Sequence, residues 1–537
     1  MFVFLAVVAP AGAQTTATRP RVGLALGGGG ARGVAHVGVL RWLEEHRIPI
    51  DVVTGTSMGG LIGGGYATGM TPEEIEALLT GIDWEAMFGA SRFQFVNVRR
   101  KRDLRAYPSR LEFGLKGGIV PPPSLNNGQQ VDLLLSRIAA GSYALASFDE
   151  LPTPFRCVAV DLKRARPVVL GNGSLARALR ATMSMPLVFP PVIIDDQVLV
   201  DGGAMNNIPA DVARGMGVDR VIAVSVGELG TKATLDYSMV GLVVETLEAM
   251  IRAATLRTTA TADVMITVPL AEYSLSDFRR TKAFITAGYA AAEARRAQLL
   301  TLAIGESDWQ QWHSARTKAR RTALPTPAFV EVAGAGVSDA ERMRRLLQPH
   351  LGVPFDVGAI EETILELGGL DRYEALSWAL VSRGGEYGLE ITARPKSFGP
   401  PFVFLGLSLE NTTGNEFRFG LGGRLLAFDV LGSGSELRVD GAVGSEPLLT
   451  TAWYRPLFGQ TLFVEPSAGV GSETLSVIDE DRIVASYRRS RVGVNLGRLD
   501  EVRRRSIRLD RRQRDDRRSR LSPDRRRGRR GPPAMGP

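Results

Sequence analysis

The chain has 537 residues, 44% of them apolar, which is enough for two to four domains with cores of their own. Its formal charge of +8 misleads: residues 501–537 hold 15 arginines against 5 acids, a local +10, and the rest carries −2. The folded part is therefore not basic, so the charge argues for neither a nucleic acid nor an anionic membrane surface as partner, and no nucleic-acid partner is expected.

The N-terminus reads as a secretory signal over residues 1–13. A short apolar core, 2–9, precedes the A-x-A site Ala11-Gly12-Ala13, although the positive n-region is missing. Residues 21–26 form an apolar strand that runs into Gly27-Gly28-Gly29-Gly30-Ala31-Arg32-Gly33. A helical pattern over 34–46 follows, with Val37, Leu40, Trp42 and Leu43 as core positions. Amides of such a loop, backed by a helix dipole, suit an oxyanion hole. They also suit a pyrophosphate, since Gly28, Gly30 and Gly33 satisfy G-x-G-x-x-G and Asp51 lies 18 residues beyond. Against a dinucleotide, Asp51 precedes its strand instead of ending it.

Residues 51–54 form a short strand, then Gly55-Thr56-Ser57-Met58-Gly59 gives G-x-S-x-G, then a small-residue helix begins. A serine at a strand-to-helix turn has its hydroxyl lifted clear of the backbone, as a nucleophile requires. Residues 84–123 interrupt the strand–helix alternation with Trp84, Phe88, Phe93, Phe95 and Phe113 and the basic run Arg99-Arg100-Lys101-Arg102. This reads either as a lipid-contacting flap or as a hairpin packed on the core.

Further strands fall at 155–162, 198–200 and 219–226, an α/β layer pattern. Cys157, the single cysteine, lies in the first of these and reads as a buried strand residue that allows no internal disulfide. Asp201-Gly202-Gly203 follows the 198–200 strand and supplies a carboxylate. Of the four histidines, His36 and His46 precede Ser57 on a helix, where packing explains them, and His313 and His350 lie more than 100 residues beyond Asp201. A Ser57–Asp201 dyad without histidine is the economical account. A carboxylate near its reference pKa of about 4 is a poor base, so burial has to raise it. No residues have metal-ligand spacing, and neither a metal nor a cofactor is expected. No run of about 20 apolar residues predicts a transmembrane helix.

In this order and spacing, G-G-G-x-R-G, G-x-S-x-G and D-G-G resemble the patatin-like phospholipases. Residues 181–191 and Asn206-Asn207-Ile208-Pro209 resemble the segments that flank the family's aspartate. The resemblance covers about residues 21–305. It implies an α/β catalytic domain with a parallel-sheet core and helices on both faces, acting on phospholipid or another acyl-ester lipid. Carried over by motif, it implies Ser57 as nucleophile, Asp201 as base and Gly28, Gly29 and Gly30 as oxyanion donors helped by Arg32. Gly33, Gly55, Gly59, Gly202 and Gly203 complete the motifs.

After a linker at 306–327, residues 328–396 read strand, helix, helix, strand, strand and resemble a small α+β POTRA domain. From Phe402 to 497, period-two alternation gives six or seven strands of an outer-membrane β-barrel, short of the eight such a barrel needs. The tail 498–537, rich in arginine, reads as a disordered segment or a shifted reading frame. The order resembles the patatin-type autotransporters and implies export, with the barrel in the outer membrane and the catalytic domain at the cell surface or secreted. The alternative is a non-enzymatic outer-membrane transport or assembly protein whose patatin domain is silent.

Overall fold

The computed structural model describes residues 19–88, 111–227, 237–412, 416–457, 462–479 and 482–495. The signal-like N-terminus, the basic run at 99–102 with Phe93 and Phe95, and the arginine-rich tail lie outside them. The chain divides into two compact units, one of residues 1–102 and 122–397, the other of 103–121 and 398–537.

The first unit is built on a sheet of strands β1 (Val22–Leu26), β2 (Val52–Thr56), β3 (Phe155–Asp161), β4 (Arg166–Leu170), β5 (Val192–Ile194), β6 (Gln197–Asp201), β7 (Arg220–Ser225) and β8 (Val264–Thr267). The order is β5-β6-β3-β2-β1-β7-β8, with β4 also on β3. β3, β2, β1, β7 and β8 are parallel, while β4 and β6 run antiparallel to β3. The central strands are buried along their whole length, which is why they read as unbroken apolar runs. The chain leaves β1 on one side to β2 and returns on the other side as β7. That switch opens a crevice beyond the strands' carboxyl ends, where α/β sheets bind ligands.

The helix Met58–Ala67 has no charged residue and is buried on all sides. Half of it is glycine, a poor helix former, so packing sustains it. A Cβ on Gly63 would lie 2.8 Å from Val53, and one on Gly64 would lie 2.7 Å from Leu179. The expected core positions Val37, Leu40, Trp42 and Leu43 are all fully buried.

Two segments depart from the sequence reading. The stretch 306–327 reads as linker in the sequence, but it begins with a helix, Glu306–Ala319. Its Arg316 is buried, stacks 4.0 Å over the Tyr66 ring and donates to the Tyr66 and Met70 carbonyls, so this part packs into the first unit. In the 84–123 segment, Leu111–Gly114 is a strand that pairs with Phe402–Thr412 in the second unit.

Residues 329–395 form a three-stranded sheet ordered Phe329–Ala333, Glu386–Pro395, Tyr373–Arg383, covered by helices Val337–Leu347 and Val357–Gly368. This is the strand, helix, helix, strand, strand order read from the sequence. The module is not detached: Leu133 and Ala140, from and just beyond the helix Gln129–Ala139, lie in its core with Leu376, Trp378 and Ile391.

The second unit is an antiparallel sheet. From one end it runs 482–495, 467–479, 448–457, 436–444, 416–428, 402–412, 111–114, with 462–464 also on 448–457. Among the described residues it is open, with 482–495 and 111–114 as its ends. Its two faces differ in chemistry. Leu407 pairs with Leu421, Leu421 with Val443, and Leu409 with Phe419, and all of these are exposed. On the alternate positions Arg424 pairs with Asp440, and Arg438 with Glu436.

Candidate active site

Three loops at the carboxyl ends of the parallel strands build one pocket. Gly28, Gly29, Gly30 and Arg32 come from beyond β1, Ser57 from beyond β2, and Ser225, Val226 and Gly227 from the end of β7. Asp201 enters from the antiparallel β6, paired with Ala159. Leu247, Glu248, Ile251, Arg252 and Thr255 of the helix Met239–Thr258 close the far wall. The pocket encloses about 120 Å³.

Ser57 sits at φ 55°, ψ −125°, immediately before the helix Met58–Ala67. A non-glycine residue held in that region is strained, and strain persists only where its surroundings over-determine it. Two hydrogen bonds and the packing of the flanking glycines do so. The Ser57 N–H donates to Thr182 Oγ1 (2.9 Å), whose hydroxyl is fixed in turn by the Val158 carbonyl. The Ser57 carbonyl accepts from Leu61. A Cβ on Gly55 would collide with the Gly59 carbonyl, and one on Gly59 with the Leu26 carbonyl, so both motif glycines permit the elbow's close packing.

Asp201 is 9% exposed, as is Ser57. Its Oδ1 accepts from the Gly203 N–H at 2.9 Å, and its own N–H donates to the Ser184 carbonyl at 3.0 Å. Burial raises its pKa to about 6, against the opposing pull of the Ser57 hydroxyl and the Gly203 amide. Oδ2 is buried and has no partner of full hydrogen-bond geometry among the described residues. The Ser57 hydroxyl is thus near enough to favour the carboxylate but loosely aligned, as catalytic contacts often are without substrate. A Cβ on Gly202 would collide with the Val158 carbonyl, so the turn after Asp201 lies flat against β3.

The three glycine amides differ. The Gly28 N–H donates to the main-chain oxygen (3.2 Å) and the side-chain oxygen (3.1 Å) of Asn207, and is already engaged. The Gly29 and Gly30 N–H groups have no such partner among the described residues. Gly30 has φ +54°, and a Cβ there would strike the Leu275 carbonyl. Asn207 also donates from Nδ2 to Thr255 (3.0 Å), tying the glycine loop to the far wall. Arg32 borders the pocket beside Gly227, its pKa lowered by burial. Arg252 lies 3.8 Å from Glu248.

No histidine lines the pocket. His36 is fully buried behind it, 2.7 Å from the Gly27 carbonyl, with its pKa lowered by burial to about 4. It is a neutral donor that fastens the loop. His46 stacks on Trp42, and His350 meets Thr363. Asp51 lies at the opposite end of the sheet, where it accepts from Arg19 and from the Val22 N–H. It cannot meet a ribose at the glycine loop, which removes the dinucleotide reading. Among the described residues no cluster of potential metal ligands occurs. Cys157 is buried in β3 and its pKa is raised by desolvation.

Residues 24–214 match the patatin-like phospholipase family, and the chain accordingly carries a patatin-like phospholipase domain. Over 218 residues it is 34% identical to the Patatin-like phospholipase domain-containing protein ZK370.4 of Caenorhabditis elegans, covering 40% of this chain and 14% of that one. Over 217 residues it is 35% identical to the Lysophospholipase NTE1 of Mycosarcoma maydis, covering 40% and 10%. Over 208 residues it is 35% identical to the human Patatin-like phospholipase domain-containing protein 6, covering 38% and 13%. The chain thus spans about a seventh or less of these relatives, through one domain. Among solved structures, VipD from Legionella pneumophila covers 66% of this chain and 80% of its own at 14% identity and a TM-score of 0.30.

Proposed function

We propose that the chain is a lipid acyl hydrolase that uses Ser57 and Asp201 as a dyad. The observation that carries this reading is the carboxylate of Asp201, buried beside Ser57, with a pKa of about 6 and no histidine in the pocket. At neutral pH such a carboxylate is ionised, yet far more basic than an exposed one. Asp201 takes the Ser57 hydroxyl proton as the serine oxygen attacks the acyl carbonyl. The oxyanion rests on the Gly29 and Gly30 amides, with Arg32 adding positive potential. Gly28 holds the loop through Asn207 instead of serving as a donor. As the C–O bond breaks, the leaving alcohol takes the proton from Asp201. Water, deprotonated by Asp201, then attacks the acyl-enzyme; as the Ser57 O–acyl bond breaks, the serine oxygen takes that proton back from Asp201 and the fatty acid is freed.

Pockets that envelop a whole ligand usually hold about 300–1,000 Å³. This one, at about 120 Å³, suits the ester group, with the acyl chain leaving across the helix Met239–Thr258. The name of the fungal relative makes lysophospholipids the first substrates to try. Fatty-acid release from phospholipids, lysophospholipids and short acyl esters by the wild type and by Ser57→Ala tests the reading. Equal release by the two proteins contradicts it.

The second unit is read as part of an outer-membrane barrel preceded by a POTRA-like module. Its support is the contrast between an exposed apolar face (Leu407, Leu421, Val443, Leu409, Phe419) and charged pairs on alternate positions. The chain would then be exported, with the catalytic domain carried outside. Fractionation of expressing cells tests this; recovery of the chain only in the cytoplasm contradicts it.

A further inference from the structure

Both members of the Ser57–Asp201 pair hang on one turn. Thr182 holds the Ser57 N–H, and the Ser184 carbonyl holds the Asp201 N–H. That turn is clamped from its far side. Arg180 donates from Nη1 to Ser184 Oγ at 2.7 Å, and the Ser184 hydroxyl returns to the Arg180 carbonyl at 2.9 Å. The Arg180 guanidinium lies 4.9 Å over the Phe189 ring, and its Nε is 2.8 Å from Asp132 Oδ1 on the helix Gln129–Ala139. The other oxygen of Asp132 is 3.3 Å from Arg394 Nη1, which belongs to the three-stranded module. Arg394 also pairs with Glu374 at 3.0 Å and donates to the Asn127 carbonyl.

This is a cluster of two arginines and two carboxylates, buried except at Arg394, whose side chain is 26% exposed. The side chains of Arg180, Asp132 and Glu374 are 4%, 8% and 8% exposed. Burial lowers the Arg180 pKa and raises that of Glu374, so each charge depends on its partners. The register between helix and module is fixed beside it. The Gln129 amide donates to the Leu376 carbonyl and accepts from the Leu376 N–H, both at 2.7 Å. Nothing in the hydrolytic chemistry needs these residues, yet they connect the module to the turn that carries both reacting side chains.

We propose that Arg394 is a positioning residue for catalysis: through Asp132 and Arg180 it fixes the 180–184 turn and thereby the mutual placement of Ser57 and Asp201. The inference rests on the reading of those two as the catalytic pair. It makes the module part of the enzyme and not a separate appendage.

The test compares Arg394→Ala, Arg394→Lys and Arg372→Ala in the full chain. Arg372 is a control of matched kind, since it pairs with Asp339 at 3.0 Å inside the same module. A misplaced reacting group can cost roughly 10- to 100-fold. Arg394→Ala should lower kcat on a short acyl ester by about tenfold or more. KM should be little changed, Arg394→Lys should recover much of the loss, and Arg372→Ala should leave kcat near the wild-type value. Amide exchange in the peptide 197–205, which holds the Asp201 N–H, should speed up in Arg394→Ala and not in Arg372→Ala. If Arg394→Ala does not fold, the near-isosteric Asp132→Asn takes its place with the same expectations. Unchanged kcat and exchange in Arg394→Ala, or equal losses in the alanine variants, overturn the proposal. If the wild type hydrolyses no ester, the catalytic reading has failed, and the exchange measurement still decides whether the clamp holds the turn.

Discussion

Asp201→Asn removes a buried carboxylate whose charge the fold resists, so it should stabilise the protein while destroying turnover. The carboxyl titrates at about 6 in the folded chain against a reference of 3.8. Above pH 6 it is charged in both states, and the charge is the less favourable one in the fold. The difference of about 2 pKa units corresponds to about 3 kcal/mol against folding at neutral pH. Below 3.8 the group is neutral in both states and the penalty vanishes. Asparagine keeps the Oδ1 that accepts from Gly203 and carries no charge. The variant should therefore gain up to about 3 kcal/mol at pH 7.5, with the gain shrinking between pH 6 and 4. Turnover should fall by roughly 10²–10⁴, the usual contribution of a general base. Urea unfolding followed by tryptophan fluorescence at pH 7.5, 6 and 4.5 measures the first effect, and ester hydrolysis the second. A variant less stable than wild type at pH 7.5, or a gain independent of pH, would refute burial as the cause of the raised pKa.

The same pKa places the acid limb of kcat/KM near pH 6, so at pH 5 the wild type should retain about a tenth of its plateau activity; a limb near pH 4 contradicts a raised Asp201. His36→Gln should leave that limb in place, because His36 is already neutral at these pH values; a displaced limb would restore histidine to the mechanism. Gly30→Ala forces an L side chain to φ +54° against the Leu275 carbonyl. It should cost about 3–4 kcal/mol of transition-state stabilisation with KM little changed, read from kcat. A chain ending at Ser397 should fold and hydrolyse esters, whereas one ending near residue 320 exposes Leu133 and Ala140 and should aggregate; light scattering and activity distinguish the two.

Local motifs were legible and long-range side-chain contacts were not. Ser57, Asp201 and the glycine loop announce themselves because each needs particular residues within a few positions of sequence. The roles of Thr182 and Asn207 depend on partners 125 and 179 residues away. Asn207 stood in a recognisable segment, but nothing local indicates that it takes the Gly28 amide. The helix Met239–Thr258 had no motif to mark it, although its side chains close the pocket. The 306–327 stretch read as linker because arginine, threonine and proline crowd its second half. The stacking of Arg316 on Tyr66, which holds the helix in place, is invisible in composition. In the 84–123 segment the strand Leu111–Gly114 has only four residues, too few for an alternation to register. The clamp from Arg394 to Arg180 joins three elements distant in sequence, and no single-sequence pattern encodes it.

The most direct test of the central claim is covalent. A fluorophosphonate should phosphonylate the wild-type chain once, and peptide mapping should place the adduct on Ser57. Ser57→Ala should remain unlabelled, and Asp201→Asn should label far more slowly because its serine lacks a base. An adduct on another residue, or labelling of Ser57→Ala at the wild-type rate, would contradict the account.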